Sequence, residues 1–209
     1  MLTIALTFLF GNMAYADPGT VVFVDPASLT NPSSPFSVNI NISDVTDLYS
    51  WEFKLYYNKT ILTITTVQLG PLLNNTVGTA NTWGIIKDKN DDYNATHGRI
   101  WAAQSITGDR QGATVTTGTL ATLTFTVDGS SGTTPLSLED TKLIGYNYAT
   151  KTLSIIAHTT TDGSVTISGV PEFPMGLALE LALIVTIVYL WHRRKRKEPQ
   201  FLQQPQHAQ

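Results

Sequence analysis

Residues able to do covalent chemistry are sparse in this chain of 209 residues. There are no cysteines, which removes thiolate metal sites, disulfide frameworks and a cysteine nucleophile together. The four histidines, at 97, 158, 192 and 207, share no ligand or catalytic spacing. No phosphate loop, Ser-His-Asp arrangement or paired-acid signature accompanies them. The expectation is a protein with no catalytic residue, no metal and no cofactor. One acidic stretch, Asp88 to Asn94, places oxygen donors at alternate positions like the first half of a calcium loop. Tyr93 stands where that loop needs glycine, and Arg99 where it needs a bidentate acid. The stretch therefore reads as a solvated acidic loop.

Residues suited to recognition are better represented. Trp51, Phe53, Leu55 and Tyr57 alternate with Ser50, Glu52, Lys54 and Tyr56. This is the period of a strand with one face in a core and one in water. If Ile100 and Ala102 of a neighbouring strand point inward, Trp101 and Ala103 point outward. A slip of one residue instead puts Trp101 in the core. An outward Trp beside Tyr, Glu and Lys is the composition of a binding hot spot, and equally of a sugar-stacking platform. The candidate partner-binding residues are thus Ser50, Glu52, Lys54, Tyr56 and Trp101. Four Asn-x-Ser/Thr sequons, at Asn41, Asn58, Asn74 and Asn94, are the candidate glycosylation sites. Asn41 has the outward parity of its strand, Asn58 follows a strand, and Asn74 and Asn94 fall in polar stretches that read as loops.

The elements that must hold these residues are strands. Phe36, Val38, Ile40 and Ile42 alternate with polar residues, as do Ala121, Leu123, Phe125 and Val127, and then Val165 and Ile167. Turn residues punctuate the runs at 31–35, Gly70-Pro71, Gly108-Asp109, 128–132 and Asp162-Gly163. No window of residues 17–169 has a convincing helical period. About nine strands in some 150 residues predict an all-β, nine-stranded sandwich with jelly-roll or Greek-key connections.

The two ends read differently. Residues 2–10 are apolar and lead to Ala14-Tyr15-Ala16, so residues 1–16 read as a signal peptide, although no basic residue starts it. Met175 to Trp191 is apolar apart from Glu180 and Thr186. As a helix these residues extend about 26 Å, close to a ~30 Å hydrocarbon core. Five basic residues, 193–197, follow at once, as a cytoplasmic flank requires. Residues 17–169 hold 8 basic and 13 acidic side chains, a net of 8 − 13 = −5 inside an overall −3. With 13 Lys and Arg against 16 Asp and Glu, nucleic acid is not an expected partner. The predicted organisation is a signal peptide at 1–16, an ectodomain at 17–169, a linker at 170–174, a transmembrane helix at 175–191 and a Gln- and Pro-rich cytoplasmic tail at 192–209. The predicted location is the cell membrane, single-pass, with the ectodomain outside. Val170-Pro171-Glu172-Phe173-Pro174, then the helix, then the basic run, resembles the PEF-type C-terminal sorting signals of archaeal surface proteins.

Three blocks of the body resemble the cohesin domain family. Trp51–Leu73, WEFKLYYNKTILTITTVQLGPLL, is similar to the cohesin block in which an aromatic strand ends in Tyr-Asp-Pro and the next closes at Gly and Leu-Leu. Gly118–Val127, GTLATLTFTV, is similar to the strand written Gly-x-Leu-Ala-x-Ile-x-Phe-x-Val. Asp162–Ile167, DGSVTI, is similar to the closing strand Asn-Gly-Ser-Val-Thr-Ile. The resemblance implies a non-catalytic module that binds a dockerin through one sheet face. Such modules recruit carbohydrate-active enzymes for polysaccharide breakdown or fix them at the cell surface. Here Asn58-Lys59-Thr60 replaces the usual Asp-Pro-x turn, and the polar pair that meets dockerin falls at Ser50 and Glu52. Cohesins share their fold with carbohydrate-binding modules, so a polysaccharide-binding or adhesion module is the second expectation. A structural surface-layer glycoprotein, with glycans over the sheet, is the third.

Overall fold

Alternation decides the architecture, because each apolar run has only one way to leave water. The computed structural model describes residues 19–88, 93–129, 131–169 and 175–195. The predicted signal peptide, the 170–174 motif, residues 196–209 and most of the acidic stretch 88–94 lie outside the described residues. The chain divides into two units, residues 1–168 and 169–209.

In the first unit the order is β1 (Val21–Asp25), β2 (Ser28–Thr30), β3 (Phe36–Asn58), β4 (Leu62–Leu69), α1 (Leu72–Val77) and β5 (Thr82–Asp88). There follow β6 (His97–Ile106), β7 (Ala113–Val127), β8 (Gly132–Asn147), β9 (Thr152–Ile155), β10 (Thr159–Thr161) and β11 (Gly163–Ile167). The all-β expectation holds. The described residues form eleven strands rather than about nine; the shortest, β2, β9 and β10, have only three or four residues and no alternation to reveal them.

One strand belongs to both layers. The first half of β3 lies between β1 and β7, with β4 beyond β7 and β10 beyond β1. Its second half lies between β6 and β8, with β5 beyond β6. The start of β8 pairs with β11, which pairs with β2, and the end of β8 pairs with β9. Between the halves Asp44 and Asp47 take φ of 50° and 54°. Aspartate tolerates this left-handed region better than larger residues, and here it turns β3 from one layer to the other. Gly112, just before β7, packs on that corner; a Cβ there would collide with the Asp47 carbonyl.

The core lies between the layers. Trp51, Phe53, Leu55 and Tyr57 are buried from one side, and Val38, Ile40, Leu123 and Phe125 from the other. The Tyr57 ring meets Phe125 across the gap, with centroids 5.2 Å apart and planes at 74°. Each such side chain contributes about 1.5–3 kcal/mol over its exposed state. With no disulfide available, this packing carries the stability.

The second unit contains α2 (Met175–Lys195), which includes the segment 175–191 predicted to span a membrane. Its described side chains, residues 183–193, are all exposed. Among the described residues, no helix is long and apolar enough to cross a membrane. The helix covers the predicted segment and runs four residues past it, to Lys195.

Candidate functional site: one face of the sandwich

The outer face of β5, β6, the second half of β3, and β8 gathers all five predicted partner-binding residues. Along β6, Gly98, Ile100, Ala102, Gln104 and Ile106 are buried, so Arg99, Trp101, Ala103 and Ser105 face outward. The slip that would bury Trp101 does not occur. Register then sets Ser50 opposite Ser105, Glu52 opposite Ala103, Lys54 opposite Trp101 and Tyr56 opposite Arg99. On the flank, β5 adds Trp83 opposite Ser105 and Ile85 opposite Ala103. Trp83 is 59% exposed. On the other flank, β8 sets Lys142 opposite Glu52 and Ser137 opposite Tyr56.

Charge on this face is paired across strands. The β3–β8 register shifts between Glu52 and Lys54, where Asp140 takes φ of 48°. Lys54 Nζ donates to Asp140 Oδ2 at 2.6 Å. This bond holds the Lys54 ammonium above its ordinary pKa and the Asp140 carboxyl below its own. Lys142 Nζ lies 3.7 Å from Glu52 Oε1. Two ammoniums also approach the Trp101 ring: Lys87 Nζ at 4.1 Å and Lys54 Nζ at 5.3 Å from its centroid. Lys54 and Lys142 thus each meet a carboxylate of a neighbouring strand, that of Asp140 and that of Glu52.

Aromatic clusters close both ends of the face. At one end Tyr56 and Tyr93 meet edge to face at 5.0 Å, and Arg99 lies 4.7 Å over Tyr93. Burial first, and then Tyr93, push the Tyr56 hydroxyl above its ordinary pKa, against the pull of Arg99. Tyr56 and Tyr93 border a cleft of about 330 Å³ that also takes in His97 and Glu139. At the other end the Tyr49 and Tyr146 rings lie 5.1 Å apart. Tyr146 donates to Asp109 at 2.7 Å, and Lys151 pairs with the same carboxylate at 2.8 Å. The hydrogen bond to Asp109 pushes Tyr146 up to about 12.

The sequons separate. Asn58 ends β3, and its Oδ1 accepts from the N–H and hydroxyl of Thr60. Asn94 builds the same turn with Thr96. The two turns touch, Lys59 N donating to the Thr96 carbonyl at 3.0 Å. Asn74 lies on α1 rather than in a loop. Its Oδ1 accepts from Thr82 and from Gln104, tying α1 to β5 and β6. Asn41 departs from its predicted exposure: it is only 7% exposed, opposite Phe23, with Nδ2 donating to Asp25 at 3.2 Å. A central strand with a bulky cross-strand neighbour can cover an outward position. Asn41 also sits on the first half of β3, in the other layer from Glu52.

Trp83, Ile85, Lys87, Asp140 and Lys142 join the face without having been read from the sequence. TWGIIKD has no alternation, and the bulge that brings Asp140 to Lys54 has no sequence signal.

The sequence profile of the cohesin domain matches residues 20–167. The chain belongs to the cohesin domain family. Solved cohesins share its fold. The seventh ScaB type I cohesin from Pseudobacteroides cellulosolvens is 19% identical, with a TM-score of 0.56 over 74% of this chain and 95% of that one. A non-cellulosomal cohesin from the archaeon Archaeoglobus fulgidus is 17% identical, with a TM-score of 0.52 over 74% and 93%. A cohesin solved in the Coh-OlpC–Doc435 cohesin–dockerin complex of Clostridium thermocellum is 17% identical, with a TM-score of 0.54 over 74% and 97%. Among curated protein sequences none matches the chain. In this cohesin the match covers the first unit and leaves α2 outside it.

Proposed function

We propose that this cohesin domain is a non-catalytic docking module whose β5–β6–β3–β8 face binds a dockerin-bearing protein. The observation that carries the reading is the register placing Ser50, Glu52, Lys54, Tyr56 and Trp101 on one open face. Trp101 stands near its middle, with apolar Trp83 and Ile85 on one flank and charged pairs on the other. An aromatic anchor within a polar rim is the usual anatomy of a protein interface. Relatives of the same fold have been solved with dockerins bound. The test is calorimetric titration with dockerin modules encoded by the same organism. Trp101→Ala should cost about 2 kcal/mol or more, roughly thirtyfold in Kd. Failure of every dockerin to bind, or equal binding by the variant, overturns the reading.

A polysaccharide ligand stacked on Trp101 is less well supported, because the ammonium of Lys87 already lies over that ring. We further propose that α2 anchors the module in a membrane with the sandwich outside. The reading rests on the apolar stretch Met175–Trp191, the basic run after it and the apolar start of the chain. The recruited partners would then be surface enzymes acting on polysaccharide. Membrane fractionation tests this: the full chain should pellet with membranes, and a chain ending at residue 169 should not.

A further inference from the structure

We propose that Asn94 carries an N-linked glycan and that the first sugars of this glycan occupy the cleft between Tyr56 and Tyr93. The inference is independent of the dockerin reading; only its consequence for the face rests on it.

Four observations converge. First, Asn94 itself lines the cleft of about 330 Å³, near the lower end of the ~300–1,000 Å³ typical of small-ligand clefts. The occupant is therefore tethered to the wall. Second, the lining suits a pyranose. Tyr56, Tyr93 and Pro135 offer apolar walls to the C–H face of a ring, while His97, Ser137 and Glu139 offer partners to its hydroxyls. Third, the Asn94 amide is already oriented. Its Oδ1 accepts from Thr96 N at 2.9 Å, Thr96 Oγ1 at 3.3 Å and His97 N at 2.8 Å. Among the described residues Nδ2 donates to no protein acceptor. Fourth, the alternatives are less apt. Asn41 is buried, Asn74 is half-buried and tied to Thr82 and Gln104, and Asn58 is half-buried and does not border the cleft.

The attachment is a glycosyl transfer from a sugar linked to a lipid-carried phosphate. The bond from the anomeric carbon to Asn94 Nδ2 forms as the bond from that carbon to the phosphate oxygen breaks. Nδ2 gives up one proton, which leaves with the phosphate carrier, and no electrons are exchanged. The seated glycan covers Tyr56 and Glu139. It thereby confines a partner to the part of the face around Ser50, Glu52, Trp101 and Trp83.

The experiment uses the full chain isolated from its own cells. Peptide mass mapping reads Asn94, and diethylpyrocarbonate then modifies accessible histidines before and after removal of the glycan. The expected result is a sugar mass on Asn94, His97 protected in the glycoprotein and modified once the glycan is gone. His158, which does not border the cleft, should react equally in both. Ala95→Pro abolishes the sequon while keeping Asn94, Thr96 and His97, and should leave His97 reactive from the start. A bare Asn94 overturns the proposal. A glycosylated Asn94 with His97 equally reactive before and after removal overturns the seating in the cleft.

Discussion

Gly98 is a point where core and binding face constrain each other tightly. It is the second residue of β6, directly opposite Tyr57, and the Tyr57 ring fills the space beside it. A Cβ at position 98 would fall 2.5 Å from the Tyr57 hydroxyl oxygen and 2.8 Å from a ring carbon. Ordinary contact is near 3.5–4.0 Å, so the ring must retreat by about 1 Å. It has little room to do so, being 1% exposed and held by Phe125 from the other layer. Gly98→Ala should therefore destabilise by about 1–3 kcal/mol, the range for overpacking a filled core. That loss corresponds to roughly 3–10 °C in Tm for a domain of this size. Urea denaturation followed by near-ultraviolet circular dichroism gives the number. The decisive control is a cycle with Tyr57→Leu. In that background the alanine has space, and its cost should vanish or become a gain of about 0.5–1 kcal/mol from the lower chain entropy. Additivity of the two substitutions to within ~0.5 kcal/mol would refute the clash as the cause.

Two predictions concern titration. Absorbance at 295 nm should show Tyr146 ionising near 12, and Asp109→Asn should return it toward the ordinary ~10, since the hydrogen bond to Asp109 is its main cause. Equal titration in both proteins would reject the pairing. Asp140 has its pKa lowered by Lys54, so its contribution is present above the unfolded carboxylate value and lost as pH falls through the folded one. Lys54 is raised by the same bond, so its contribution is complete below the unfolded lysine value and lost as pH rises through the folded one. The stability difference between wild type and Asp140→Asn should thus be flat at neutral pH and close at both extremes. A difference that persists in acid would count against the pair.

Much of the fold is legible in single residues. Apart from Asn41, the buried members of the runs at 36–42, 51–57 and 121–125 are those that alternation selects, because a two-residue period and one core leave no other choice. The same rule placed four of the five partner-binding residues, and β6 resolved the parity of Trp101. What stayed hidden depends on neighbours distant in sequence. Asn41 has the right parity, but its exposure depends on Phe23 and Asp25 of β1. The Lys54–Asp140 bond needs a register shift that the sequence does not announce. β5 is an edge strand whose apolar residues do not alternate. α1, with six residues, is too short for a helical period.

The pairing of the two ends of the sandwich has a mechanical consequence. β1 and β10 run side by side and parallel, Val21 opposite Thr159, and further along β2 and β11 do the same, Ser28 opposite Ser164. Pulling the chain apart from its ends draws β1 one way and β10 and β11 the other, along the strand axis. Those hydrogen bonds are loaded together, in shear, instead of being peeled one at a time. Resistance to such a pull is a matter of unfolding rate, not equilibrium stability. A module tethered at one end and tugged at the other would hold by its outermost strands, one pair of which, β2 and β11, continues the layer of the binding face through β8.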